Sequence, residues 1–213
     1  MALLSSCGAS HFSQSEPVCA NGPQIETAHR SSTSCAPNPN ASDLLMSVID
    51  QQTPLWCWAA CGEMVMKKLG DNTITQCDQA DSQFHRTTCC NSPIPDNCIN
   101  GGWPQFEKYG FSSDKTQCAA LNWDDVKTQI DCQRTPFVAT WKWLGSAGGG
   151  HMVVVSGYRT VNQENFVYIL NPLPGDVAHA RWLPYSTYVS PVGYSHWDDF
   201  FNIRRMSTLQ NAH

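Results

Sequence analysis

Gln51-Gln52-Thr53-Pro54-Leu55-Trp56-Cys57-Trp58-Ala59-Ala60 is the stretch on which the reading of this chain turns. A cysteine stands between two tryptophans, six residues after a glutamine, where an apolar helix begins. From Trp56 to Leu69, residues Cys57, Ala60, Cys61, Met64 and Lys68 recur on one face at three- and four-residue spacing. Gly70-Asp71-Asn72 follows, with glycine where a left-handed cap is wanted. A thiol at a helix N-terminus is the kind whose pKa drops below the free value of about 8.5, which makes the attacking thiolate available. Cys57 therefore reads as a nucleophile. Without its flanks it would read as a buried or bridged cysteine, in a chain with many of them.

A nucleophile needs a base, and the base needs an orienting group. Gly148-Gly149-Gly150-His151 opens a strand-like stretch, Met152 to Tyr158, and a second, Phe166 to Leu170, ends at Asn171-Pro172. If strands 151–158 and 165–172 pair as a hairpin about Thr160 to Asn165, His151 lies opposite residues 171 and 172 and Asn171 can fix its imidazole. The glycines before His151 leave room for a substrate backbone. Taken singly, His151 reads as a strand-end histidine and Asn171-Pro172 as a turn starter; the pairing is what argues for catalysis. An oxyanion hole needs two donors. The Cys57 backbone N–H supplies one, and a glutamine side chain the other: Gln51 is preferred, with Gln52 open.

Gln51-x5-Cys57-Trp58-Ala59-Ala60, then Gly150-His151, then Asn171-Pro172, resembles the papain-like cysteine peptidases. The flavour is that of the bacterial branch with a Trp-Cys-Trp-Ala-Ala nucleophile helix, which includes effector proteases and relatives of the bacteriocin-processing peptidases. The resemblance covers roughly Gln51 to Pro172. It implies an α+β fold, a helical lobe with the nucleophile helix followed by an antiparallel β lobe, and a cleft between them. It implies Cys57 as nucleophile, His151 as base, Asn171 as orienter and Gln51 in the oxyanion hole, with no metal and no cofactor. The match departs from plant papains, lacking their Cys-Gly-Ser-Cys-Trp and carrying Pro after Asn171. Asp176 is a reserve candidate for the orienting role.

Composition bounds the alternatives. The chain has 213 residues, a net charge of -5 and only 15% charged residues, below the usual quarter or so of a soluble domain. No Lys/Arg run or basic patch is present, which argues against nucleic acid as a partner. No apolar stretch approaches the roughly 18 residues of a membrane span. Eleven cysteines point to an oxidising, extracytoplasmic compartment, secreted or periplasmic. Their odd number leaves at least one thiol, and if that is Cys57 the other ten can form five bridges. A Cys57–Cys61 bridge is disfavoured, because Cβ atoms at i,i+4 on a helix are about 5–6 Å apart. Leu4-Ser5-Ser6-Cys7 resembles a bacterial lipobox, so Cys7 is either a lipid anchor or an ordinary bridged cysteine; no charged n-region or full apolar h-region precedes it. Zinc can be drawn on Cys57, Cys61, His85, Cys89 and Cys90, but no C-x2-C pair supports it. No G-x-S-x-G elbow supports a serine hydrolase.

Along the chain, residues 1–42 read as a tail, linker or pro-segment pinned by Cys19 and Cys35, residues 43–205 as the papain-like domain, and 206–213 as a C-terminal tail. Within the domain, residues 73–102 read as an irregular bridged excursion. Trp103 to Tyr109 reads as a short helix, Leu121 to Cys132 as a helix capped by Asn122, Phe137 to Trp143 as a strand, and Arg181 to Val189 and Phe200 to Ile203 as further strands. The function that follows is hydrolysis of a peptide or isopeptide bond in a protein or peptide substrate, through an acyl-enzyme on Cys57. Two other classes stay open: acyl transfer (transglutaminase-like) or amide hydrolysis with the same triad, and a catalytically silent, disulfide-rich binding module.

Overall fold

A computed structural model describes residues 24–26, 35–144, 149–175 and 179–207. In chain order the elements are β1 (Gln24–Glu26), β2 (Ala41–Asp43), α1 (Cys57–Lys68), α2 (Gln76–Phe84), β3 (Phe111–Lys115), β4 (Ala119–Leu121), α3 (Trp123–Lys127), β5 (Phe137–Trp143), β6 (Gly150–Val161), β7 (Glu164–Leu170), β8 (Ala180–Pro184), α4 (Tyr185–Val189) and β9 (Tyr194–Arg205). The fold is α+β: a helical part built on α1 and α2, then an antiparallel sheet in the order β3-β9-β5-β6-β7-β8. Strand β2 also pairs with β6 there, and β1 pairs in parallel with β4 separately.

Helix α1 starts at Cys57 and closes as its sequence requires. Gly70 sits at φ +94°, its N–H bonds the Lys67 carbonyl and the Asp71 N–H bonds that of Met66, which together form a Schellman cap. The following stretch, expected to be irregular, contains α2. Thr75 and Asp78 form a reciprocal capping box at its start. The disulfides Cys77–Cys90 and Cys89–Cys98 bridge the excursion as expected. Trp103 to Tyr109 makes only a 3-10 turn, Glu107–Tyr109. Asn122 caps α3, its side chain accepting from the Asp125 N–H at 2.9 Å, and the helix runs on as a π turn to Cys132.

Strands β5 and β6 are buried on both faces, so their sequences are nearly continuous apolar runs. Val138, Met152, Val154, Leu170 and Phe200 meet α1 in one core. Phe137, Ala139, Trp141, Val153, Val155, Val167 and Ile169 form a second core with Val126 of α3 and Tyr188 of α4. The β6–β7 hairpin turns on Asn162 and Gln163 alone, both at positive φ, as a two-residue turn requires. Arg181 to Val189 is not one strand: after Pro184 the chain turns into the short helix α4. The last part of the stretch read as tail is fastened to the sheet lobe through Cys35–Cys132 and β2.

Candidate active site

Cys57 is the first residue of α1 and is buried. Trp56 before it offers no side-chain cap, and no acidic residue occupies the first turn. The positive end of the helix macrodipole is therefore not neutralised by a local side chain where the thiol sits. The two flanking tryptophans are structural: Trp56 Nε1 donates to the Cys98 carbonyl at 2.8 Å and Trp58 Nε1 to that of Asn100 at 3.2 Å. Both rings are fully or almost fully buried, so the turn that carries Cys57 is moored to the disulfide-bonded loop.

Cys57 keeps its thiol in a chain where Cys35, Cys77, Cys89, Cys90, Cys98, Cys118 and Cys132 are all bridged. Cys61, one turn later and wholly buried, keeps its thiol too. Five bridges using every cysteine but Cys57 are thus not formed, because Cys61, in the core on α1, is in no disulfide. Cys89 and Cys90, on which zinc could be drawn but was not expected, are both in disulfides. Cys7 lies outside the described residues.

His151 is the second residue of β6 and is 5% exposed; Asn171, just past β7, is 1% exposed. His151 Nε2 and Asn171 Oδ1 are 2.7 Å apart. The Leu173 backbone N–H also donates to Oδ1, at 3.2 Å. The Leu173 N–H can only donate, which makes its partner the acceptor amide oxygen, and an oxygen facing Nε2 calls for a proton on Nε2 and leaves Nδ1 for other work. The route to this contact differs from simple hairpin counting. A bulge between Val155 and Gly157 shifts the register, the last ladder pair is Val154 with Leu170, and His151 reaches Asn171 diagonally rather than from directly across. Gly150 answers to a different need from the one expected: a Cβ there would lie 2.1 Å from the Trp141 carbonyl oxygen, so close packing of β5 excludes a side chain. Gly148 and the reserve candidate Asp176 lie outside the described residues.

Gln51 and Gln52 separate clearly. Gln51 is 4% exposed, and its Nε2 donates one hydrogen to the Thr53 carbonyl at 2.8 Å, leaving the other. Gln52 is exposed. The Gln51 backbone N–H bonds the Pro172 carbonyl at 2.8 Å, tying the glutamine loop to the Asn171 segment. On its other side the loop is held by Gln76 of α2, which is fully buried: its amide accepts from the Gln52 N–H and donates to the Asp50 carbonyl, both at 2.9 Å. Asp50 in turn pairs with His179 Nδ1 at 3.1 Å, and the His179 carbonyl accepts the Asn171 N–H at 2.6 Å. Neither Gln76 nor His179 was foreseen from the sequence. The pattern Thr75-Gln76-Cys77-Asp78 carried the signal for α2, and with it for Gln76 at the helix start.

The model of the Peptidase_C39-like family matches residues 44–197. Among solved structures, xylellain, a cysteine protease from Xylella fastidiosa, is 15% identical, with 93% of this chain and 100% of that one covered at a TM-score of 0.49. A double glycine motif protease from an AMS/PCAT transporter, solved with a leader peptide, is 15% identical, with coverages of 78% and 95% and a TM-score of 0.45. Procathepsin B from Trypanosoma congolense is 13% identical, with coverages of 84% and 82% and a TM-score of 0.47. No curated protein sequence matches the chain. The family model spans residues 44–197, most of the chain, and the chain belongs to the Peptidase_C39-like family.

Proposed function

We propose that the chain hydrolyses a peptide bond of a protein or peptide substrate through an acyl-enzyme on Cys57. The observation that carries this is the buried His151–Asn171 contact at 2.7 Å, set on the sheet whose neighbouring Met152 shares a core with Cys57. His151 acts as base and then as acid through Nδ1, because Nε2 is held by Asn171. The Cys57 thiolate adds to the substrate carbonyl, and the resulting oxyanion is met by the Cys57 N–H and the second hydrogen of Gln51 Nε2. The C–N bond breaks as His151 protonates the departing amine. Water, deprotonated by His151, then cleaves the thioester and restores the thiol. The disulfides support an oxidising, extracytoplasmic setting. Among the described residues no helix is long and apolar enough to cross a membrane.

Labelling of the unreduced protein tests this, using iodoacetamide or the epoxide inhibitor E-64 followed by peptide mapping. Cys57 is modified rapidly and Cys61 is not; His151→Ala abolishes the fast reaction. An inert Cys57 in folded protein overturns the assignment.

A further inference from the structure

We propose that the recess between the Gln51 loop and the Leu173-Pro174 segment binds an apolar side chain from the leaving half of the substrate, on the carboxyl side of the cleaved bond; this rests on the peptidase reading above. The recess has a volume of about 260 Å³ and is lined by Gln51, Gln52, Thr53, Pro54, Leu173 and Pro174. It adjoins both ends of the catalytic arrangement. One wall begins at the oxyanion-hole glutamine, and the other follows directly on Asn171, whose Oδ1 holds both His151 and the Leu173 N–H. The bond from the Gln51 N–H to the Pro172 carbonyl joins the two walls. His151 hands its proton to the departing amine, so the half of the substrate that leaves as an amine lies on the His151–Asn171 side.

The chemistry of the walls selects the occupant. Pro54, Leu173 and Pro174 supply apolar surface, and no lining side chain carries a charge. A charged side chain entering there gives up hydration without gaining a partner, whereas an aliphatic one gains contact. The recess therefore fits a peptide with a branched aliphatic residue just after the cleaved bond, and disfavours Asp or Glu there.

Acyl transfer reads this recess without knowledge of the natural substrate. An N-acyl-glycine p-nitrophenyl ester acylates Cys57 and releases nitrophenolate. The thioester then partitions between water and an added amino-acid amide, whose nitrogen forms the new C–N bond as the C–S bond breaks; the amine proton passes to His151 and the thiolate is regenerated. Leucinamide is expected to capture the acyl group at a concentration about tenfold below that needed for glycinamide, the effect of a filled apolar pocket, with aspartic acid α-amide no better than glycinamide. Leu173→Asp abolishes the leucine preference, measured as the ratio of capture to hydrolysis in the same variant. Pro174→Asp, at an exposed position, does the same and decides the matter if Leu173→Asp does not fold. Equal capture of all three amides by an acyl-enzyme that forms normally overturns the recess as a binding site. Failure of the ester to acylate Cys57 overturns the peptidase reading itself.

Discussion

At the scale of single residues, Asn171 is the most informative side chain, because its oxygen accepts from His151 Nε2 and from the Leu173 N–H together. This holds a proton on Nε2 and sets the plane in which Nδ1 lies. Asn171→Ala is expected to lower kcat by roughly 10²-fold, the cost of misplacing a reacting group by about an ångström. KM should move little, and circular dichroism should stay native. A kcat within twofold of the wild type would show that packing alone orients His151. The residues proposed as the triad were legible as types in order, because Cys57, His151 and Asn171 each sit at the end of a recognisable element. Their exact alignment was not: the only mark of the bulge between Val155 and Gly157 is Gly157 itself, inside an otherwise continuous strand pattern, and it does not say how far the register shifts. Cys61 was not legible as a second thiol either, since the number of bridges says nothing about which cysteine a core position isolates.

At the scale of elements, α1 shows how a strong local pattern survives folding, and α2 how a bridged, polar stretch hides one. Residues 73–102 carry the composition of a loop, yet the Thr75–Asp78 capping box sets a helix in it whose first residue, Gln76, holds the Gln51 loop by two hydrogen bonds. Gln76→Leu leaves the Gln52 N–H and the Asp50 carbonyl without their partner. The expected loss is about 1–3 kcal/mol of stability in urea unfolding, together with a fall in kcat as Gln51 drifts. Gln76→Glu keeps the acceptor but not the donor, so it should recover only part of both. If Gln76→Leu lowers stability and leaves kcat intact, the loop is held by the Gln51–Pro172 bond alone. The opposite failure of local reading occurs at Arg181 to Val189, where β-forming residues continue past Pro184 into a helical turn. There tertiary context decides: as part of α4, Tyr188 turns its hydroxyl onto Asp199 of β9.

At the scale of the whole molecule, the sheet lobe is held from within by charge. His196 of β9 is fully buried and places Nδ1 3.0 Å from the Tyr188 carbonyl and Nε2 3.0 Å from Asp199 Oδ1. Both partners are acceptors, so both ring nitrogens carry protons and the ring is an imidazolium. Asp199 Oδ2 meanwhile accepts from the Tyr188 hydroxyl and from the Leu121 N–H at 2.7 Å, as expected of a carboxylate. Burial pulls the pKa of His196 down, but Asp199 and the Tyr188 carbonyl more than offset this and raise it. The same network reaches β6, which carries His151, because Trp141 of β5 pairs with His151 on one side and His196 on the other and donates its indole N–H to the same Tyr188 carbonyl at 3.1 Å. The linkage has a definite sign. A histidine whose folded pKa exceeds its unfolded value of about 6.5 contributes its full stability below that value and loses it as pH rises through the folded pKa. The neighbours titrate elsewhere: burial of Tyr188 beside Asp199 drives its phenol far above 10, and burial of Asp198, only partly offset by Lys115, raises its carboxyl from the acidic range. In a Cys57→Ser background, which prevents self-cleavage, the melting temperature should exceed that of the added His196→Gln variant most clearly near pH 6. The gap should narrow steadily towards about pH 9. A gap that is constant over that interval would mean that His196 is held neutral and that the sheet lobe is stabilised by hydrogen bonding without the ion pair.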